Sequence, residues 1–247
     1  CDRDVAESVD SHLAFYDRMH DTIFAMDGED KVVPVPSMPG ICQYTVDRLP
    51  EELDRVVAAG IKAILLFGIP AHKDEVGSAA YAENGIVPRA IRAIKAACPQ
   101  MHVGAGTVLT EKQLQLTIEA GGEFMVAPSV NPALIAKANA AGLAVIPGAY
   151  TPTEIVTAWE AGASCVKLFP IRSLGPTYVK DVLAPLKHIP LLAVGGVTPD
   201  NITDYIKAGC VGACVSGALV NKEMIAAGAW DKIADVAKTL IERVHIG

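Results

Sequence analysis

The chain has 247 residues, of which 51% are hydrophobic and 20% are charged. This length is sufficient to bury a large core, and α/β barrels of this size commonly form one domain. The formal net charge of −7 gives no electrostatic reason to expect binding to nucleic acid or to an anionic membrane surface. A small anionic ligand must therefore be held by local hydrogen-bond donors.

The six cysteines include no CxxC pair, and most lie in apolar stretches, where thiols behave as small hydrophobic groups. Cys210 and Cys214 are four residues apart, but no histidine or carboxylate accompanies them at zinc-site spacing. We therefore expect no metal site. The sequence shows neither a signal peptide at its start nor an apolar run long enough to span a membrane, so a reducing cytoplasm is the expected location.

Residues 1–20 are predicted to be an N-terminal helical addition to one domain, residues 21–247. Along this domain, short apolar runs alternate with amphipathic stretches that begin at capping signals and end at Ala-Gly pairs. The predicted strands are Thr22–Met26 (or Val32–Val35), Ala63–Phe67, Val103–Val108, Phe124–Ala127, Ala144–Pro147, Cys165–Phe169, Leu191–Val194 and Ala213–Ser216.

These runs are apolar at nearly every position, which is typical of parallel strands covered on both faces. Parallel strands that alternate with helices in this number close into a barrel, so the predicted fold is a (β/α)₈ TIM barrel. An open doubly wound sheet is the alternative. No GxGxxG motif follows a first strand to favour it.

Lys167 is the most informative single residue, because it lies inside a predicted buried strand, between Val166 and Leu168. A lysine in that setting is rare unless it is paired or functional, although its side chain could also reach a loop or an ion pair. Desolvation lowers the pKa of a lysine and frees its amine to attack a carbonyl. The residue is therefore a candidate Schiff-base nucleophile.

Glycine-rich segments end the last two predicted strands, at Gly195-Gly196 and at Ser216-Gly217. Barrels often bind phosphate with backbone N–H groups at these strand ends, although tight turns would use the same residues. Thr107 and Pro128 end two earlier strands on the same rim. Each could contact substrate or simply shape a turn.

The motifs GAGTVLT, IPGAYTPTEI, VKLFPIRSLGP, AVGGVTPDN and VSGALV together resemble the family of 2-keto-3-deoxy-6-phosphogluconate aldolase and 4-hydroxy-2-oxoglutarate aldolase. The resemblance covers about residues 98–247. It implies a class I aldolase barrel, usually a trimer, that needs no cofactor and releases pyruvate and a small aldehyde. It also implies Lys167 as the Schiff-base lysine, Thr107 as a pyruvate contact, and phosphate contacts at the two glycine-rich strand ends.

The preceding part of the chain differs. The segments DGED, VPSMPGICQYTVDRL and LFGIPAHKDEVGSAAYAENGIVPRAIRAIK, within about residues 21–97, resemble 5-aminolevulinate dehydratase, also called porphobilinogen synthase. That family too is a Schiff-base barrel, but this chain lacks its cysteine-rich zinc segment and its pair of active-site lysines. A composite of two families, natural or engineered, is the resulting interpretation.

The second strand departs from the aldolase pattern. The aldolase family has a general acid/base glutamate and a carboxylate-binding arginine there, whereas ILLFGIP places Leu65 and Ile69 near those positions. Without that glutamate, activity is expected to be impaired. His72, Lys73, Asp74 and Glu75 follow the strand as a solvated loop or a substitute site, with Glu75 the candidate base.

Three functions are therefore open at this stage. The first is a Schiff-base aldolase acting on a 2-keto-3-deoxy sugar acid phosphate or on 4-hydroxy-2-oxoglutarate. The second is a barrel that binds small anions without useful turnover, which the loss of the glutamate and the arginine favours. The third, a dehydratase of the porphobilinogen synthase type, lacks the required chemistry.

Overall fold

The computed structural model describes residues 20–35, 41–72, 74, 78–219, 223–224, 227 and 229–245. Residues 1–19 of the predicted N-terminal addition therefore lie outside the described residues, and His20 begins the first strand. None of the described helices has the length and hydrophobicity of a membrane-spanning segment.

Parallel strands alternate with helices along the chain. The strands are β1 (His20–Met26), β2 (Val32–Pro34), β3 (Cys42–Thr45), β4 (Ala63–Ile69), β5 (His102–Gly106), β6 (Phe124–Val126), β7 (Ala144–Ile146), β8 (Gly148–Ala149), β9 (Val166–Leu168), β10 (Leu191–Val194) and β11 (Gly212–Cys214). The α-helices are α1 (Leu49–Ala58), α2 (Ile86–Ala97), α3 (Glu111–Glu119), α4 (Pro132–Ala140), α5 (Pro152–Glu160), α6 (Gly175–Leu183), α7 (Pro199–Lys207) and α8 (Trp230–His245).

The strands form two hydrogen-bonded sheets that share one stretch of chain. The larger has the order β2-β3-β1-β4-β5-β6-β7, and the smaller has the order β11-β10-β9-β8. Only Pro147 separates β7 from β8. Proline has no N–H to donate, but the carbonyl of Pro147 accepts a 2.9 Å hydrogen bond from the backbone N–H of Lys167. The two sheets are thus continuous through this residue.

The edge of the larger sheet differs from the prediction. Both alternatives for the first strand are strands, since β1 lies inside the sheet while β2 pairs antiparallel with β3. The unpredicted β3 pairs in parallel with the side of β1 that faces away from β4. In a closed eight-stranded barrel the last strand occupies that side, and no β11 to β1 ladder is present among the described residues.

The predicted helix boundaries are confirmed by their caps. Thr110 with Gln113, Thr151 with Glu154, and Thr198 with Asn201 form capping boxes, so each side chain satisfies a backbone donor at a helix start. The predicted Ala-Gly pairs end five helices, with glycine φ angles from 79° to 110°, at Gly60, Gly121, Gly142, Gly162 and Gly209.

The core is built in three clusters. One packs α1 and α2 against β1 and β4, and a larger one packs the later helices against the later strands. Val87 on α2 packs against both, so the two parts of the chain share buried surface. The third cluster lies on the opposite face of the sheet and forms the interior; it contains Ala63, Phe124, Ala144, Ile146 and Cys165, with Leu65, Val126 and Leu192 packed against it.

An ion-pair network joins the two parts of the chain at the N-terminal ends of the strands. One carboxylate oxygen of Glu123 lies 2.5 Å from Nζ of Lys95, and the other lies 2.5 Å from Nδ1 of His102. Burial alone would raise the pKa of Glu123, but the hydrogen bonds from Lys95 and His102 outweigh it and lower that pKa. The ionised carboxylate therefore stabilises the folded state.

Replacing Glu123 with glutamine is expected to lower the free energy of unfolding by about 1 kcal/mol at pH 7, because the network is partly exposed. A lowered folded-state pKa stabilises the fold above the unfolded-state pKa of about 4.3, and this contribution is lost as pH falls through the folded-state value. Urea denaturation at pH 7 and pH 3 measures both effects. Glu160→Gln, on the exposed end of α5, is the control, and an equal loss at both pH values would contradict the network's role.

Candidate active site

Lys167 lies on the interior face of the sheet. Its neighbours in sequence, Val166 and Leu168, are fully buried in the helix-facing core. The register pairs Lys167 with Leu192 on β10 and with Gly148 on β8. Register partners in parallel strands share a face, and Leu192 packs against the interior cluster. The lysine therefore points inward.

The interior surroundings lower the pKa of Lys167. Desolvation by the protein is the larger cause, and the nearby thiol of Cys214 acts weakly in the opposite direction. The Nζ atom also lies 4.5 Å from the centre of the Phe169 ring, which favours the ammonium form. Desolvation prevails, so more of the neutral amine is present than on a free lysine at the same pH.

Cys214 shows that water can enter this part of the interior. The residue is exposed to solvent, yet desolvation by surrounding protein raises the pKa of its thiol, and Lys167 only partly offsets that shift. The solvent exposure of Cys214 and the raised pKa of its thiol are both consistent with a side chain that lies on the interior face of β11 and still contacts solvent. Solvent therefore reaches the interior face of β11 beside Lys167.

Pro128 lies next to the strand that pairs with Lys167. A Cβ atom added to Gly148 would be 2.4 Å from the carbonyl oxygen of Pro128, so only glycine fits at this position. Because Gly148 is the register partner of Lys167, Pro128 is one strand beyond it on the same rim. Gly148 thus lies between these two predicted site residues.

Thr107 has a strained backbone at the end of β5. Its φ angle is 61°, and its N–H and that of Val108 both donate to the carbonyl of Val126, at 2.8 Å and 3.3 Å. Its side chain is exposed beside a cavity of about 370 Å³ that also borders Phe67 and the starts of α2 and α3. Lys167 is not among the residues that line this cavity, so contact of Thr107 with pyruvate stays a prediction.

The two glycine-rich strand ends lie on neighbouring strands. Gly195 and Gly196 follow β10 with φ angles of 91° and 97°. Asn201 fixes their turn, because its side chain donates to the carbonyl of Gly196 at 3.1 Å and accepts from the N–H of Thr198 at 2.8 Å. Ser216 and Gly217 follow β11, which pairs with β10, and both are exposed.

A family profile described as KDPG and KHG aldolase matches residues 80–236. The chain belongs to this aldolase family. The membership confirms the predicted resemblance of the later part of the chain. A second profile, described as delta-aminolevulinic acid dehydratase, matches residues 7–113, which confirms the resemblance of the earlier part.

Individual relatives divide in the same way. The 2-dehydro-3-deoxy-6-phosphogalactonate aldolase of Escherichia coli is 44% identical over 112 residues, which are 45% of this chain and 55% of that protein. The delta-aminolevulinic acid dehydratase of Halalkalibacterium halodurans is 51% identical over 89 residues, which are 36% of this chain and 27% of that protein. The chain thus spans about half of the first relative and a quarter of the second.

A solved structure described as native KDPGal superimposes with a TM-score of 0.64 and 29% identity, covering 92% of this chain and 96% of that one. The predicted barrel class is thereby confirmed. The aldolase family fold extends over both parts of the chain, including the part that matches the dehydratase profile.

Opposite Lys167, the interior of this aldolase family member is apolar. Leu65 packs against the interior cluster, and the rings of Phe24 and Phe67 lie 6.1 Å apart. Neither Leu65 nor Ile69 can transfer a proton. Of the loop after β4, Lys73 and the candidate base Glu75 lie outside the described residues; His72 is exposed, and the carboxylate of Asp74 accepts hydrogen bonds from Ser78.

Three residues near the candidate site were not predicted from the sequence to lie there. Phe169 follows Lys167 by two positions, so the period of a strand would have placed both side chains on one face. Cys214 was considered only as half of a possible metal pair with Cys210, which was rejected, and not as a neighbour of Lys167. Arg172 belongs to the same motif as Lys167, VKLFPIRSLGP, but no spacing rule indicates where its side chain points.

Proposed function

We propose that this protein is a class I aldolase that cleaves or forms a 2-keto-3-deoxy sugar acid phosphate or 4-hydroxy-2-oxoglutarate, with Lys167 as the covalent residue. The observation that carries the proposal is the position of Lys167, which lies on the interior face of the sheet and has a lowered pKa. Membership in the KDPG and KHG aldolase family supports the same reaction.

In the proposed reaction the neutral amine attacks the keto carbon, and loss of water gives a protonated imine. The imine accepts the electron pair of the C3–C4 bond as that bond breaks and the 4-hydroxyl loses its proton. The aldehyde leaves, and the enamine takes a proton before hydrolysis releases pyruvate. Lys167 supplies the electron sink, so these steps require no cofactor.

We infer roles for the remaining site residues from their places on the rim. Thr107 orients the pyruvate carboxylate, and Pro128 shapes the wall beside Gly148. The backbone donors of Gly195, Gly196 and Gly217, with the hydroxyl of Ser216, hold the distal phosphate. Glu75 is proposed as a substitute base. The family resemblance also supports a homotrimer with a small keto acid as its ligand, and the cysteine pattern supports a location in the cytoplasm.

A second candidate function is binding of keto acids or phosphate with little turnover. Leu65 favours it, because this side chain, which packs against the interior cluster, cannot transfer a proton. A dehydratase reaction has weaker support, since the dehydratase profile ends at residue 113, before Lys167.

The proposal is tested by reducing the protein with borohydride in the presence of pyruvate. We expect one covalent adduct, mapped to Lys167 by peptide mass spectrometry, because an accessible neutral amine suffices for imine formation. Reduction without pyruvate is the control. An adduct on other lysines alone, or none at all, would remove the basis for an aldolase. Pyruvate release from the sugar acid phosphate then separates turnover from binding.

A further inference from the structure

Arg172 lies directly over the glycine-rich turn after β10. Its backbone is held by the short 3₁₀ helix Ile171–Ser173, where Ile171 is fully buried. A Cβ atom added to Gly196 would be 2.8 Å from Cβ of Arg172 and 3.2 Å from its Nε. The side chain therefore crosses the turn at the point where Gly196 leaves room for it.

The guanidinium group of Arg172 has no partner within the part of the chain that the structure describes. It forms no salt bridge and donates no hydrogen bond there, and the residue is exposed. The acidic residue in the first turn of α7, Asp200, lies 3.5 Å from Arg243. That carboxylate already has a cationic partner, so the charge of Arg172 stays available at the rim.

We propose that Arg172 is a specificity-determining residue that binds the distal phosphate of the substrate together with the backbone of Gly195-Gly196. This inference rests on the proposed function. A guanidinium presents paired N–H donors that match two phosphate oxygens, and the turn supplies backbone donors beside them. The substrate class is then a phosphorylated keto-deoxy sugar acid, and unphosphorylated 4-hydroxy-2-oxoglutarate binds more weakly.

The test compares 3-phosphoglycerate with glycerate by isothermal titration calorimetry, because these two probes differ in the phosphate alone. We expect the protein to bind 3-phosphoglycerate more tightly. Arg172→Ala is expected to raise the Kd for 3-phosphoglycerate about tenfold and to leave the Kd for glycerate unchanged. Arg172→Lys keeps the charge but loses the paired geometry, so its Kd should be intermediate.

Lys180→Ala is the matched control, because it removes one exposed positive charge from α6 while leaving the turn intact. A Kd for 3-phosphoglycerate unchanged by Arg172→Ala would overturn the inference, as would no preference for 3-phosphoglycerate, or an equal loss in Lys180→Ala. Pyruvate trapping distinguishes the two proposals. If pyruvate is trapped at Lys167 but Arg172→Ala leaves the Kd for 3-phosphoglycerate unchanged, only this inference is refuted. If no pyruvate is trapped, the proposed aldolase function is refuted.

Discussion

Replacing Lys167 with methionine should abolish trapping of pyruvate by borohydride and lower any aldolase turnover by about 10³-fold or more, because methionine cannot form the imine. Methionine has a similar length and is apolar, so it can fill the same space beside Phe169. It also removes the desolvation penalty that lowers the pKa of Lys167. The melting temperature should therefore be unchanged or higher.

The pH dependence of trapping gives an independent measure of the same residue. A lowered pKa means that the neutral amine appears at a lower pH than in free lysine, so the trapping rate should reach half its maximum below the usual lysine range. Lys180→Met, at an exposed position, is the control and should trap pyruvate as the parent does. Retained trapping in Lys167→Met, at an unchanged rate, would assign the chemistry to another amine.

Replacing Leu65 with glutamate should raise kcat for the sugar acid phosphate by about 10- to 100-fold, since a positioned acid/base group contributes about 10²–10⁴-fold when its geometry is optimal. Leu65 packs against the same interior cluster as Leu192, the register partner of Lys167. A carboxyl group there would have apolar neighbours, which raise its pKa toward neutrality and suit it to move protons.

The effect should fall on kcat more than on KM, because the added group acts mainly in the proton-transfer transition state. Leu65→Gln is the matched control, since glutamine has the same shape as glutamate but transfers no proton. Steady-state rates of pyruvate release, measured beside melting temperatures, distinguish chemistry from loss of fold. A fast parent enzyme that Leu65→Glu slows would mean that another residue already supplies the base.

Local patterns predicted the later strands and helices well, because their signals are contained in a few adjacent residues. The strand Leu191–Val194 has its predicted bounds, and the boxes at Thr110, Thr151 and Thr198 cap the predicted helices. The strand Cys42–Thr45 was missed, since it is short, carries Gln43, and owes its pairing to β1, which is distant in sequence.

The sequence predicted those parts of the candidate site whose positions follow from the alternation of side chains along a strand or from the place where a strand ends. Lys167 follows from the alternation of one strand, and Gly195 and Gly196 follow from their place at a strand end. The positive φ of Thr107 could not be foreseen, because a β-branched residue rarely adopts it. The direction of Arg172 depends on how a turn after β9 packs on a turn after β10, which no local pattern contains.

The ladder between β4 and β5 places the boundary of the two family resemblances inside the sheet. Ala63 to Leu66 pair with His102 to Ala105 through main-chain groups; only the dehydratase profile covers β4, whereas both profiles cover β5. Cutting the chain between β4 and β5 would leave each fragment with a row of unpaired N–H and C=O groups along a newly exposed edge. The two parts of the chain that match different families therefore share one hydrogen-bonded sheet, and we expect that neither part folds as a separate module.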